Sequence, residues 1–230
     1  KQLVLVNCCD SARRVYDIVE STGKCKFLYM LDLPHEDNEC EKVKYAQAIM
    51  RLKKAYEKFS GKTFDKEAFL NSFTENETEM KPYIGLMGVR VTDILEKMIR
   101  DNIQMDVDNL TCTGGRQLAV VPEQMRQMDE EKMFLAYADA LLCQIPCFRM
   151  NNNTRRNQLY LDPNLKGIIY HTIKFCDYYG FEYASIKKNI KVPLLKIETD
   201  FTSQSAGQLL TRIQAFAETI EGSEDMDPGK

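Results

Sequence analysis

The chain has 230 residues, 44% of them hydrophobic and 28% charged, which is the composition of a folded globular protein able to bury a sizeable core in one large or two small domains. Its formal net charge of −3, with no basic stripe interleaved with aromatics, argues against nucleic-acid binding. No apolar run approaches the roughly 20 residues of a membrane span. The opening KQLVLVNCCD is charged at once and has no cleavage pattern, so a cytoplasmic protein is expected.

In chain order, residues 2–6 (QLVLV) read as a buried strand, Asp10-Ser11 as the cap of a helix over ARRVYDIVEST, Gly23 as its end, and residues 26–31 as a second strand. Pro34 and the polar HEDNEC interrupt the pattern. Residues 41–59 then carry apolar positions at helical spacing, and a second helix follows Gly61-Lys62 over about residues 65–80. Its polar end, TENETEMKP, places a domain boundary near Pro82. The second half restarts with a strand at 83–87, a tight turn at Gly85 and Gly88, a helix at 92–102 and a strand at 105–110 leading into TCTGGR. An amphipathic helix at 129–144 precedes a loop, IPCFRMNNNTRR. A strand at 167–175, a helix at 183–189, a strand at 192–197 and a terminal helix at 204–221, capped near Ser203 or Ser205, complete the pattern. Strands alternating with helices imply two consecutive doubly wound, mainly parallel α/β units of Rossmann or flavodoxin type with a cleft between them. The expected domains are residues 1–81 and 82–221, with a disordered tail at 222–230.

Eight cysteines are the main chemical signal. Cys8, Cys9, Cys40, Cys112, Cys147 and Cys176 follow or flank the apolar runs, and the carboxyl ends of parallel strands open on a shared crevice where ligands bind. Without secretion the thiols stay reduced, so a soft-metal or iron–sulfur site is favoured over disulfides, although any single cysteine can equally be a small buried hydrophobe. In NCCDSARR, a cysteine just before a helix amino terminus sits in a positive field, with Asp10 as the expected cap. Neighbouring side chains of extended chain face opposite ways, which favours Cys9 over Cys8. Cys143, in phase with Ala136 and Ala140, and Cys25 read as core thiols. In TCTGGR, Gly114 and Gly115 permit close backbone approach and Arg116 can pair with an anion, yet both the Walker spacing and a dinucleotide fingerprint are missing. His171 reads first as a satisfied buried histidine, with a ligand or acid/base role as the alternative, and His35 is open to either. No HxxxH or CxxC spacing supports a zinc site, and no G-x-S-x-G elbow supports a serine hydrolase. Glu182, Glu198 and Asp200 read as caps or salt bridges before catalytic acids.

CDSARR, CTGGR, PCFRM, YHTIKFCDYYGFEY, KIETDFT and GQLLTRIQAFAE together resemble the 2-hydroxyacyl-CoA dehydratase family, which also contains benzoyl-CoA-reductase-type subunits and double-cubane cluster proteins. The resemblance covers most of residues 1–221, is densest over 83–221, and describes a chain shortened relative to that family. It implies a cytoplasmic iron–sulfur protein of anaerobic metabolism whose cluster lies in the cleft between two α/β domains. It further implies an ATP-hydrolysing iron–sulfur activator as electron donor, and a homodimer or a heterodimer with a related subunit. In the dehydratases the electron generates a ketyl radical from a 2-hydroxyacyl-CoA, which then loses water. Mapped onto this sequence, the family pattern makes Cys9, Cys40 and Cys176 the first cluster ligands. Cys112 and Cys147 are additional ligands that would distinguish a double cubane from a single [4Fe-4S] cluster. Gly114, Gly115, Arg116 and Gln208 are expected to hold an anionic part of a bound ligand, with Arg212 near the same cleft. The leading expectation is therefore a dehydratase (lyase) or an ATP-dependent reductase of the double-cubane kind acting on a small or CoA-linked substrate. The alternative is a non-catalytic iron–sulfur electron carrier or scaffold subunit.

Overall fold

The computed structural model describes residues 1–73, 81–111, 114, 118, 122–144, 150, 154–200 and 206–224. The chain runs β1 (Gln2–Val6), α1 (Asp10–Ser21), β2 (Phe27–Leu31), α2 (Glu39–Ser60), α3 (Lys66–Leu70), β3 (Tyr83–Gly88), α4 (Asp93–Asn102) and β4 (Asp106–Asn109). It continues through α5 (Pro122–Arg126), α6 (Glu130–Cys143), α7 (Thr154–Leu159), β5 (Leu165–Ile173), α8 (Asp177–Asn189), β6 (Leu194–Thr199) and α9 (Ala206–Glu224). All strand pairs are parallel, and helices alternate with them, which is the doubly wound α/β arrangement the sequence implies. The chain forms two compact units, one of Lys1–Asn76 with Gln117–Asn152, the other of Glu77–Arg116 with Asn153–Lys230. Residues 117–152, which chain position assigns to the second domain, thus belong with the first. The reason is packing: α6 lies along α2, and Tyr45, Ala46 and Ala138 form a buried cluster joined by Leu31, Leu33 and Leu142.

In the first unit β1 and β2 form a two-stranded sheet in register from Gln2 opposite Phe27 to Val6 opposite Leu31. Helix α2 begins where the Asn38 side chain accepts a hydrogen bond from the Glu41 amide at 3.0 Å, satisfying one of the free donors of the first turn. Its far end stacks Tyr56 and Phe59 against Phe27 at 5.2 and 5.1 Å between ring centroids. The helix expected over 65–80 is the short α3, capped by Asp65, whose side chain accepts from the Ala68 amide; residues 74–80 lie outside the described structure. Leu70, Met125, Met133 and Phe134 close a second core cluster over it.

The second unit is a four-stranded sheet of order β4-β3-β5-β6. In chain order its two central strands are the first and third of the unit, so the connections leave in opposite directions from the line between β3 and β5. That line is the topological switch point, beside which α/β folds bind ligands. Ile84, Leu86, Ile169 and Ile197 of the sheet meet Leu95 and Ile99 of α4 and Ile213, Phe216 and Ile220 of α9 in the main core. Helix α4 is capped by Thr92, whose hydroxyl accepts from the Leu95 amide at 3.3 Å. Helix α8 begins at Asp177, six residues before the start read from the sequence, because YYG interrupts the apolar period without preventing the helical turn.

Candidate functional site

The carboxyl ends of β3 and β5 frame the switch point of the second unit, and the chain closes tightly there. Gly88 ends β3 with φ +93°, and a Cβ at this position would lie 2.1 Å from the His171 carbonyl oxygen, so only glycine fits. The Val89 amide then donates to that same carbonyl at 2.9 Å. His171 is buried, with Nδ1 3.1 Å from the Val89 carbonyl and Nε2 2.8 Å from Thr199 Oγ1. A carbonyl only accepts, so Nδ1 carries the proton and Nε2 accepts from the threonine hydroxyl. Burial pushes the His171 pKa down, against hydrogen bonds to the backbone of Val89 and Arg90 that raise it. This is the satisfied buried histidine of the first reading, with no ring nitrogen to spare for a metal.

Beyond β5 the Lys174 amide donates to the Thr199 carbonyl at 2.9 Å, Phe175 turns to φ 69°, and the Cys176 amide closes back on the Ile173 carbonyl at 3.1 Å. Cys176 is then the N-cap of α8, half-buried, with extended backbone and no side-chain capping bond, and Asp177 is the first helical residue. The first unit repeats the arrangement. Cys9, half-buried, is the N-cap of α1, again extended and without a side-chain capping bond, and Asp10 is the first helical residue. The expected cap, Asp10, is thus displaced by one position. Its carboxylate instead lies 3.5 Å from Arg13, because the chain is still extended at Cys9. Cys40, exposed, is the second residue of α2, in the first turn. The nearby Lys44 has its pKa raised, first by the Glu41 carboxylate to which it donates at 2.6 Å and then by Cys40. All three first-choice cysteines therefore stand at helix amino termini, where unpaired N–H groups and the helix dipole favour negative charge.

Around Cys9 the structure adds polar residues that the sequence reading missed. The Asn7 amide donates to Asp32 Oδ1 at 3.0 Å and Arg13 Nε donates to Asn7 Oδ1 at 2.5 Å, linking the carboxyl ends of β1 and β2. The available signal was position, since Asn7 and Asp32 each directly follow a strand. In the second unit Arg156 and Glu182 form a buried ion pair through two guanidinium nitrogens, one at 2.8 Å, and the Tyr170 hydroxyl donates to Glu182. Burial and then the Glu182 charge push the Tyr170 pKa up; for Arg156, burial lowers the pKa and the Glu182 hydrogen bond more than restores it. Glu182 is thus a salt-bridge residue, as first read, whereas Arg156 sits in α7 where a loop was expected.

Several expected site residues stand elsewhere. Cys112, Cys147, Gly115 and Arg116 lie outside the described residues. Gly114 is described: its amide donates to the Thr111 carbonyl at 3.0 Å, and a Cβ there would lie 1.7 Å from the Asn109 carbonyl oxygen, so glycine is demanded here by the chain's own turn against Asn109. Gln208 is exposed in the first turn of α9, and Arg212 donates to the Lys196 carbonyl at 2.5 Å, which ties α9 to β6. Cys143, expected in the core, is exposed, with its sulfur 3.9 Å from Asp139 Oδ1, because α6 buries Met133, Phe134, Ala138 and Ala140 instead. Cys25 is half-buried, not a core thiol, since it precedes β2 in the turn after α1. Cys9 and Cys40 belong to one unit and Cys176 to the other. Among the described residues no three His, Cys, Asp or Glu side chains gather closely enough to hold a metal ion. What fits a thiolate-bound cluster is the donor set itself: uncapped cysteines at helix amino termini, beside the carboxyl ends of parallel strands.

The sequence model of the family described as 2-hydroxyglutaryl-CoA dehydratase, D-component, matches residues 2–81 and 74–220. YjiM of Escherichia coli (strain K12), which carries the name of a dehydratase subunit, is 26% identical over 180 residues, covering 68% of this chain and 45% of its own length. The (R)-phenyllactyl-CoA dehydratase beta subunit of Clostridium sporogenes is 26% identical over 156 residues, covering 62% of this chain and 40% of its own length. The chain spans less than half the length of these relatives.

Proposed function

The chain belongs to the 2-hydroxyglutaryl-CoA dehydratase D-component family, and from that membership we propose that it works as an iron–sulfur subunit of a 2-hydroxyacyl-CoA dehydratase. In this role it takes low-potential electrons from an ATP-hydrolysing activator for radical dehydration, or for reduction, of a small or CoA-linked substrate. The observation that carries the proposal is the repeated placement of Cys9 and Cys176. Each follows a parallel strand, each is the N-cap of the next helix, and each leaves its sulfur free of capping duty.

In the proposal Cys9, Cys40 and Cys176 hold a [4Fe-4S] cluster, and Cys112 and Cys147 are candidates for further ligation, as in a double cubane. The cluster, when bound, would supply one-electron chemistry. The chain's own part is electrostatic and geometric. The amino ends of α1, α2 and α8 favour the negative charge of thiolate ligands, and the tight closure at Gly88 and His171 fixes the end of β5 from which Cys176 is hung. The turn at Gly114-Gly115, Arg116 and Gln208 are the proposed contacts for an anionic group of the substrate.

The test is anaerobic mixing of the iron-loaded protein with a reduced activator of this family, with and without ATP, followed by EPR. Electron uptake that requires ATP is expected. An EPR spectrum unchanged by ATP and activator contradicts the dehydratase reading.

A further inference from the structure

The far end of α2 bounds a hollow of about 490 Å³ that lies wholly within the first unit. Its walls are almost entirely apolar and come from α2, the link to α3, α3 itself, α6 and the exposed Val4 of β1. Four rings run through them as a connected set. Phe64 and Phe69 stand 5.4 and 6.1 Å from Phe134 between centroids, and Phe69 meets Tyr137 edge-on at 5.1 Å. The candidate cysteines of this unit are at the other end of it. Cys40 lies in the first turn of α2, so Tyr56, on the wall of the hollow, is about 24 Å further along the helix. The Tyr56 hydroxyl donates to Gln2 at the amino end of β1 at 3.0 Å, whereas Cys9 follows the carboxyl end of that strand.

Three charged side chains line the hollow, Lys53, Glu57 and Lys62. The Lys53 ammonium is 2.6 Å from Glu130, 3.6 Å from Glu57 and 5.2 Å above the Phe64 ring. Glu57 also accepts from the Phe64 amide at 2.7 Å, which ties the link between α2 and α3 to the wall. The two carboxylates thus answer Lys53. Lys62, exposed at the rim, makes no ion pair with a described residue and is the positive charge left over. Tyr137 is a second unused group. Its hydroxyl hydrogen-bonds to no described residue, and burial pushes its pKa up, so it stays a neutral donor. A hydroxyl in apolar surroundings is ordinarily paired. A concave, ring-lined space of this volume with a few polar groups at its edge is what a small molecule occupies.

We propose that this hollow is a binding site for a small aromatic monocarboxylate, its ring packed among Phe64, Phe69 and Phe134 and its carboxylate paired with Lys62 at the rim. Aromatic walls favour an aromatic body through offset and edge contacts. Walls with so few polar groups reject a sugar or a nucleotide, whose donors and acceptors would be stripped of water without replacement. The surplus lysine selects one negative charge over a neutral or cationic ligand. The site goes beyond the dehydratase reading and does not rest on it, because none of the residues lining it is a candidate cluster ligand or substrate contact.

Titration of the full chain with 2-naphthylacetate, followed by calorimetry and by naphthalene fluorescence, tests it; the chain has no tryptophan to interfere. The expected result is saturable binding of one molecule per chain with a Kd below about 1 mM. The neutral 2-naphthylacetamide should bind about fivefold more weakly, and Lys62→Gln should abolish that difference. Val4→Phe, which adds a ring from the exposed strand, should block both ligands while the thermal midpoint is retained. Cys9→Ala should bind as the wild type does, whatever its iron content, so that a failed cluster and a failed hollow are told apart. No saturation by 2-naphthylacetate, equal affinity for the amide, or binding untouched by both Lys62→Gln and Val4→Phe would each overturn the proposal. So would affinity that falls as the chain self-associates at rising concentration, since a second copy would then fill the hollow.

Discussion

A cysteine at a helix amino terminus has a sulfur near unpaired N–H groups, and Cys176 and Cys9 share that position in separate units. The consequence is measurable one residue at a time. Cys176→Ala should lose most of the iron bound on anaerobic reconstitution, whereas Cys143→Ala, altering an exposed thiol at the end of α6, should retain it. Equal iron in both variants contradicts the assignment. His171 gives a second prediction. Its pKa is held below the usual value near 6.5, so the folded state stays neutral while the unfolded chain takes up a proton as pH falls. Stability should therefore be unaffected above about pH 7 and decline below about 6.5, by at most about 1.4 kcal/mol per pH unit from this group. Urea midpoints from pH 5 to 8 check this, and His171→Gln should flatten that part of the profile. At this scale the sequence was legible where chemistry follows position: Cys9 precedes a helix because its neighbours say so, and Cys176 was readable as the end of a strand, though not as the cap of α8. It was illegible for Cys143, since an alanine-rich helix leaves more than one stripe that can face inward, and packing on α2 chooses between them.

Among the elements, α7, α8 and β5 are tied by the buried Arg156, Glu182 and Tyr170. Removing one partner strands the other in a low-dielectric interior, so Arg156→Met should cost about 3–5 kcal/mol in chemical denaturation. Replacing Arg156 and Glu182 together by apolar residues should recover much of that loss, because no charge is then left unpaired. A cost under about 1 kcal/mol for Arg156→Met would show that the pair does not hold these elements. Most strands and the long helices were readable from apolar period, as in QLVLV and GIIYHTI. Short α5 and α7 were not, because five or six residues span less than two helical turns and show no repeat, and NNNTRR carries only loop-like composition. The early start of α8 escaped for a related reason: its aromatic first turn faces water, so its hydrophobic residues do not mark its buried side.

For the molecule as a whole, the order of elements predicts an α/β fold, and family membership follows from a match over nearly all of the chain. The division into units was less readable. The polar linker suggests a boundary near Pro82, and the compact units divide at Asn76 and Glu77; the return of residues 117–152 to the first unit depends on α6 burying its face on α2, a long-range pairing with no local signature. No helix among the described residues is long and apolar enough to cross a membrane. Of the three first-choice cysteines, Cys9 and Cys40 belong to the first unit and Cys176 to the second. Bound iron therefore decides the role of these cysteines. Anaerobic purification followed by iron and sulfide counting, with EPR of the reduced protein, should give about four irons and four sulfides per chain for one cubane, or about eight of each for two. A colourless protein that takes up no iron on anaerobic reconstitution would contradict it.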